Sequence, residues 1–359
     1  MNTDRRALLK AALAPLLLPL LVSEALGAPQ GLTAQTLLPR MSDVSEIRLI
    51  QAKDPARILE RVSSPGFAHS LAQSVLGFII EEYPAGNLPV WKKPLSQVDL
   101  HTRIPEICQH VVRGIIRHSS IYPMDPCWIM GQMMAESFFY EFAVSSALAV
   151  GPCQFIAPTA RGFGLVCADE HGQPAGFARR ADLESEFTQI ATFRDLMRAL
   201  RREQPELFNN PAKLLRTLLN AQAAGTPLTE AGALALALDR MDLLQAQYNM
   251  ARDNCRLYFS ENFQGRSIFA AQDVAFLERF DQRVLYTHSI NAMVRMMAEN
   301  MRSRSGNILA ATAGYNAGLG NTDSKSGVYT AYGRIPNFAE TVEYVSKILV
   351  NHYEISRRI

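Results

Sequence analysis

One glutamate in this sequence stands where a proton donor would be useful. Glu136 follows Ile129 by seven residues and Met133 by three, so it falls on the apolar stripe of a predicted helix. Burial among apolar groups disfavours the ionised carboxylate and raises its pKa, as a general acid near neutral pH requires. A glutamate that merely caps the helix or extends into solvent is the structural alternative. We favour the acid–base role.

The residues after Glu136 predict a turn beside the carboxylate. Ser145 follows nine positions later, and the small residues Ala149 and Gly151 allow close approach of backbone or ligand. Gln154 lies at the end of this stretch, and the turn would bring it near Glu136. For Ser145 and Gln154, ligand contact and turn-stabilising hydrogen bonds both remain open.

A second group of polar and aromatic residues lies far downstream, at a predicted helix end. Tyr315 and Asn316 are followed closely by Gly318. An aromatic ring stacks on a sugar face, and an amide hydrogen-bonds hydroxyl or acetamido groups, so this pair suits carbohydrate binding. The alternative places Tyr315 in the core and uses Gly318 to end the helix.

These segments together resemble the signature of the lytic transglycosylases, enzymes with a goose-lysozyme-like fold that cut bacterial cell-wall glycan. The family pattern is roughly E-S, then S-x-x-G-A-x-G-L-M-Q and P-x-T-A, and far downstream A-x-Y-N-A-G and P-x-x-x-E-T-x-x-Y-V. The matching residues, in chain order, are Glu136, Ser137, Ser145, Ala149, Gly151, Gln154, Thr159, Ala160, Tyr315, Asn316, Ala317, Gly318, Pro336, Glu340, Thr341, Tyr344 and Val345. The departures are Leu148, Pro152, Cys153, Ala157 and Gly314.

The resemblance implies a peptidoglycan lytic transglycosylase that cuts the β-1,4 bond between N-acetylmuramic acid and N-acetylglucosamine. Glu136 would protonate the leaving oxygen and then act as base on the sugar's own C6 hydroxyl, so the product is a 1,6-anhydro sugar and no water is consumed. No metal or cofactor is implied. By the same resemblance, the residues that line the cleft and contact the sugar are Ser145, Gln154, Tyr315, Asn316 and Tyr344.

Two other functions stay open. A hydrolytic muramidase would need a second carboxylate about 5 Å from the acid if it retains configuration, or about 6.5–9.5 Å away if it inverts. Glu141 and Asp169 are the acids nearby in sequence. A catalytically weak wall-binding scaffold is the other alternative, and only the departures from the family pattern support it.

The elements that must position these residues are predicted to be all α-helical. The resemblance implies a lysozyme-like catalytic domain that is split into residues 100–167 and 276–359 by a helical insertion at 168–275. An arm with a helical region is expected over 29–99. Helices are predicted over residues 44–62, 67–80, 104–118, 126–139, 192–202, 212–224 and 229–258. Residues 280–301 resume the family pattern, with Asn291 and Met293 in a helix.

Finer signals refine these elements. Asp125 is a good N-cap for the helix that carries Glu136. The spacing of Asn337 and Glu340 fits a capping box, which gives Glu340 a structural role. In the insertion, the core is predicted to include a stripe at helical spacing formed by Leu234, Leu238, Met241 and Leu244.

The N-terminal segment, the net charge and the cysteines indicate where the protein acts and what it binds. Residues 1–28 combine a basic start, an apolar run and small residues, as an export signal does, and DRRALLK resembles the twin-arginine type. We therefore expect a periplasmic protein that acts on glycan strands, with envelope-protein partners at the N-terminal region or insertion as an open option. A formal net charge of +2 argues against nucleic acid. Cys108 with Cys127, or Cys153 with Cys167, could form disulfides, and buried thiols are the alternative.

Overall fold

The structure is a computed structural model that describes residues 49–51, 53–54, 56–168 and 183–359. Most of these residues are helical, and the only β-pairing among them is isolated bridges, so the all-α prediction is confirmed. The predicted export signal, most of the arm that follows it, and Asp169 lie outside the described residues. None of the described helices combines the length and the hydropathy of a membrane span.

The α-helices are numbered here in chain order. They are α1 (Ala56–Val62), α2 (Phe67–Glu82), α3 (Leu100–His118), α4 (Pro126–Ser137), α5 (Ala157–Gly162), α6 (Leu183–Glu203), α7 (Pro205–Asn209), α8 (Pro211–Ala223), α9 (Ala231–Phe263), α10 (Ala271–Phe280), α11 (Tyr286–Ser303), α12 (Ile308–Ala317) and α13 (Ala339–Ser356). Short 3-10 helices occupy Leu95–Gln97, Gln282–Val284, Leu319–Thr322 and Gly327–Tyr332.

Helix α4 lies at the centre of the main core, packed against α13 and α3. Its sequence, PCWIMGQMMAES, is apolar on nearly every side, and almost all of its residues are buried. Asp125 caps its start by accepting the Cys127 N–H at 2.9 Å, as predicted. Gly131 lets α13 approach closely, because a Cβ there would lie 3.0 Å from the His352 nitrogen. This close packing fixes α13 beside the end of α4.

The segment between α5 and α11 contains its own helical layers. Helices α6 and α9 pack against each other around a small cluster that includes Met197 and Leu244. The predicted stripe on α9 is wrong at Leu238, which is 47% exposed, whereas Ala237 is buried. Met241 and Leu244 lie at the cluster as predicted, so Ala237 takes the place of Leu238 on an otherwise unchanged stripe. The end of α9 packs an aromatic cluster under the turn that follows α4, through Phe263 among others.

Two further expectations are corrected, and one open alternative is decided. The helix predicted over residues 44–62 begins only at Ala56, and the described residues before it are not helical. No capping box forms at α13, because its N-cap is Phe338 and no side chain caps it. Finally, the five cysteines are buried thiols that form no disulfide in the described part of the chain. Burial without bridging was the alternative.

Candidate active site

Glu136 lies in the last turn of α4, where the chain bends away sharply. Phe138 and Phe139 follow with left-handed backbones, at φ 51° and 63°. Glu136 is half-buried, and its Oε1 accepts a hydrogen bond from the hydroxyl of Tyr344, which is buried on α13. The structure thus brings together the predicted acid and a predicted cleft residue that lies 208 positions downstream.

The electrostatics of Glu136 favour its neutral form. Burial raises the pKa of Glu136 from 4.5 to about 8, and the hydrogen bond from Tyr344 opposes this in part. Neither cause is a charged neighbour, so no cation among the described residues favours the ionised carboxylate. At neutral pH Glu136 therefore keeps its proton, which is the state that a general acid needs.

The backbone after α4 forms a turn at residues 150–155, and side chains from several parts of the chain hydrogen-bond to its carbonyl groups. The Ser137 hydroxyl donates to the Pro152 carbonyl at 2.7 Å, and the Tyr315 hydroxyl donates to the Cys153 carbonyl at 2.7 Å. The side chain of Gln154 donates to the Gly151 carbonyl within the same turn. These contacts tie the turn to α4 and α12, and so fix its position relative to Glu136.

The buried ion pair between Arg283 and Asp281 packs against the same turn. Arg283 and Asp281 are both fully buried, with Nη2 and Oδ2 at 2.6 Å, and Arg283 Nη1 donates to the Phe155 carbonyl at 3.2 Å. Gly151 packs against this pair with φ 86°, and a Cβ there would lie 2.0 Å from the Arg283 carbonyl oxygen. Only glycine fits this position.

Two of the predicted contact residues are engaged in the turn itself. Ser145 Oγ accepts the N–H groups of Ala147 at 3.2 Å and Ala149 at 3.0 Å. Gln154 Nε2 donates to the Gly151 carbonyl at 2.8 Å, and to that of Ala143 at 3.3 Å. The turn-stabilising alternative therefore describes the Ser145 oxygen and the Gln154 nitrogen in this structure.

Tyr315 and Asn316, the predicted sugar-contacting residues far downstream, differ in their exposure. Tyr315 is half-buried, with its ring centroid 5.7 Å from that of Phe155 and its hydroxyl on the turn. Asn316 is exposed, and its Oδ1 accepts the Thr341 hydroxyl at 2.8 Å. Burial raises the pKa of the Tyr315 hydroxyl, and the nearby Glu136 carboxylate adds to this shift.

Glu141, the acid weighed as a second catalytic carboxylate, is already occupied. It is 1% exposed, and Arg103 binds it from α3 with Nη2 to Oε1 at 2.6 Å and Nε to both oxygens at 3.1 Å. The Arg103 guanidinium also lies over the Trp91 ring, 5.3 Å from its centroid. A carboxylate held in this way is a structural anchor rather than a base for water.

Sequence reasoning missed Gln132. This residue lies in α4 one helical turn before Glu136 and is fully buried. Its side-chain oxygen and nitrogen have no hydrogen-bond partner among the described residues. The available signal was a lone amide in an otherwise apolar run four positions before the acid. It also missed the support from Asp281 and Arg283, because nothing in their spacing points to the turn.

Comparison with models of known protein families, with curated proteins and with solved structures found no match to this chain. The functional conclusion therefore depends on the motif residues and on the geometry around Glu136.

Proposed function

We propose that this protein is a peptidoglycan lytic transglycosylase with a lysozyme-like catalytic domain. In this proposal residues 100–167 and 276–359 form that domain and the helices between them are an insertion. The substrate is the β-1,4 bond between N-acetylmuramic acid and N-acetylglucosamine. The observation that carries the proposal is Glu136, a carboxyl group with a pKa of about 8 in contact with Tyr344.

The first step is proton transfer to the leaving group. Because Tyr344 donates to Oε1, the acidic proton of Glu136 belongs on Oε2. Oε2 gives that proton to the glycosidic oxygen as the bond to the muramic acid carbon breaks. The carboxylate that forms keeps its hydrogen bond from Tyr344, and a bond to a charged group is stronger than one to a neutral group.

The second step closes the muramic acid ring on itself. The Glu136 carboxylate takes the proton of the C6 hydroxyl while that oxygen attacks the sugar's C1 carbon. The new C–O bond gives the 1,6-anhydro end, and Glu136 regains its proton for the next cycle. The nucleophile is tethered to the sugar, so its attack has the advantage of an intramolecular reaction.

A water-consuming route has less support. It requires a second carboxylate near the acid, and Glu141 is buried in its ion pair with Arg103. The proposal is tested by incubating the protein with purified peptidoglycan and analysing the soluble fragments by mass spectrometry. Fragments with 1,6-anhydromuramic ends that disappear with Glu136→Gln support it, and an unaltered digest with this variant refutes it.

A further inference from the structure

Gln132 is a polar side chain whose burial the two catalytic steps do not explain. It is fully buried, and both of its amide atoms lack partners among the described residues. Buried polar groups are nearly always hydrogen-bonded, because leaving one unpaired costs stability. A methionine of similar size would fit the apolar surroundings of α4 without that cost. An amide retained here points to a role in function.

The position of Gln132 connects it to the reacting carboxyl group. Residues four apart on a helix share one face, so Gln132 and Glu136 lie on the same side of α4. Tyr344 is linked to both: its hydroxyl donates to Glu136, and Gln132 affects its ionisation. Burial and the Glu136 charge raise the pKa of Tyr344, whereas Gln132 lowers it, which is the effect that an N–H donor has on a phenol.

We propose that Gln132 is a positioning residue that acts on Glu136 through Tyr344. When Glu136 gives up its proton, Tyr344 donates more strongly to the new carboxylate, and the phenol oxygen gains negative charge. The Gln132 Nε2–H group then donates to that oxygen, so a hydrogen-bond chain runs from amide to phenol to carboxylate. No covalent bond changes at Gln132. The inference rests on the proposed role of Glu136.

The titration of Glu136 can be measured separately from that of its neighbours. The titratable groups that affect it or are affected by it are Tyr344 on α13, Tyr315 on α12 and Cys153 in the turn. Burial raises the pKa of each of these three groups above its ordinary value. Glu136 is therefore the group of this cluster that titrates between about pH 5 and pH 9.

The test is the Gln132→Met variant, compared with Gln109→Met at an exposed position on α3. We expect kcat to fall about tenfold with KM unchanged, since the hydrogen bond from Gln132 to the Tyr344 oxygen is lost. The alkaline limb of the pH–rate profile should move to higher pH, because Tyr344 becomes a weaker donor. The melting temperature should stay the same or rise. In a Tyr344→Phe background the same change should cost nothing further.

Three results would overturn the inference: a lower melting temperature with unchanged kcat, an alkaline limb that does not move, or losses that add in the double variant. The pKa of Glu136 can also be followed without substrate, from the pH dependence of unfolding relative to Glu136→Gln. If the protein cleaves no glycan, the transglycosylase proposal fails, and this second readout still decides whether Gln132 acts on Glu136.

Discussion

Replacing Glu136 with glutamine should stabilise the folded protein, and increasingly so as the pH rises. A carboxyl group with a pKa of about 8 in the folded state and 4.5 in the unfolded state binds more protons when folded. Between these values, stability is lost as pH rises. Each pKa unit is worth about 1.4 kcal/mol, so the penalty reaches about 3 kcal/mol at pH 7 and approaches about 5 kcal/mol above pH 8. Glutamine has nearly the same shape and carries no such penalty.

The assay is urea unfolding followed by circular dichroism at intervals from pH 5 to pH 9. The quantity of interest is the difference in unfolding free energy between Glu136→Gln and the wild type at each pH. Other titrating groups are common to both proteins and cancel. We expect this difference to grow through neutral pH and to level off above pH 8.

Glu343→Gln provides a control of opposite sign on α13. Glu343 is exposed, and its hydrogen bond to Lys347 lowers its pKa. A lowered carboxyl pKa contributes stability that is present above the unfolded value and is lost as pH falls through the folded one. This variant should therefore lose stability at neutral pH relative to the wild type. A flat difference for Glu136→Gln across the whole range would refute the buried-acid reasoning.

Two other predictions concern the frame around the acid. Gly151→Ala should destabilise the fold by several kcal/mol and abolish activity, because its Cβ would lie 2.0 Å from the Arg283 carbonyl oxygen. Gly162→Ala, with open space around it, should do neither. Thermal melting and glycan digestion check both variants. Tyr344→Phe should keep the fold, lower kcat and move the alkaline limb of the pH–rate profile to higher pH. The hydrogen bond from Tyr344 lowers the Glu136 pKa, so its loss raises that pKa, and an unmoved limb would contradict this role.

Local signals in the sequence predicted the parts of the site that depend on local structure. The apolar stripe placed Glu136 on the buried side of its helix, Asp125 marked the helix start, and the small residues near Gly151 marked the turn. Each of these follows from propensity, capping or backbone freedom over a few residues. The helical class of the chain followed from periodicity in the same way.

The remaining features depend on partners far apart in sequence. Glu141 is neutralised by Arg103, 38 positions earlier, and the Tyr315 hydroxyl reaches a carbonyl 162 positions away. No local pattern encodes such pairs, so the sequence left Glu141 open as the second carboxylate of a muramidase and gave no sign of the bond from Tyr315 to the turn. Leu238 was assigned to the core because a stripe four residues apart fits a helix as well as the true one, which passes through Ala237.

The central claim is that Glu136 works alone and that the sugar supplies its own nucleophile. The most direct measurement is the mass spectrum of peptidoglycan digested by the wild-type protein in water enriched in oxygen-18. The transglycosylase mechanism predicts muramic ends lighter by one water than hydrolysed ends, without the heavy isotope, and their absence with Glu136→Gln. Reducing muramic ends that carry oxygen-18 would show that water is the nucleophile, and would contradict the transglycosylase mechanism.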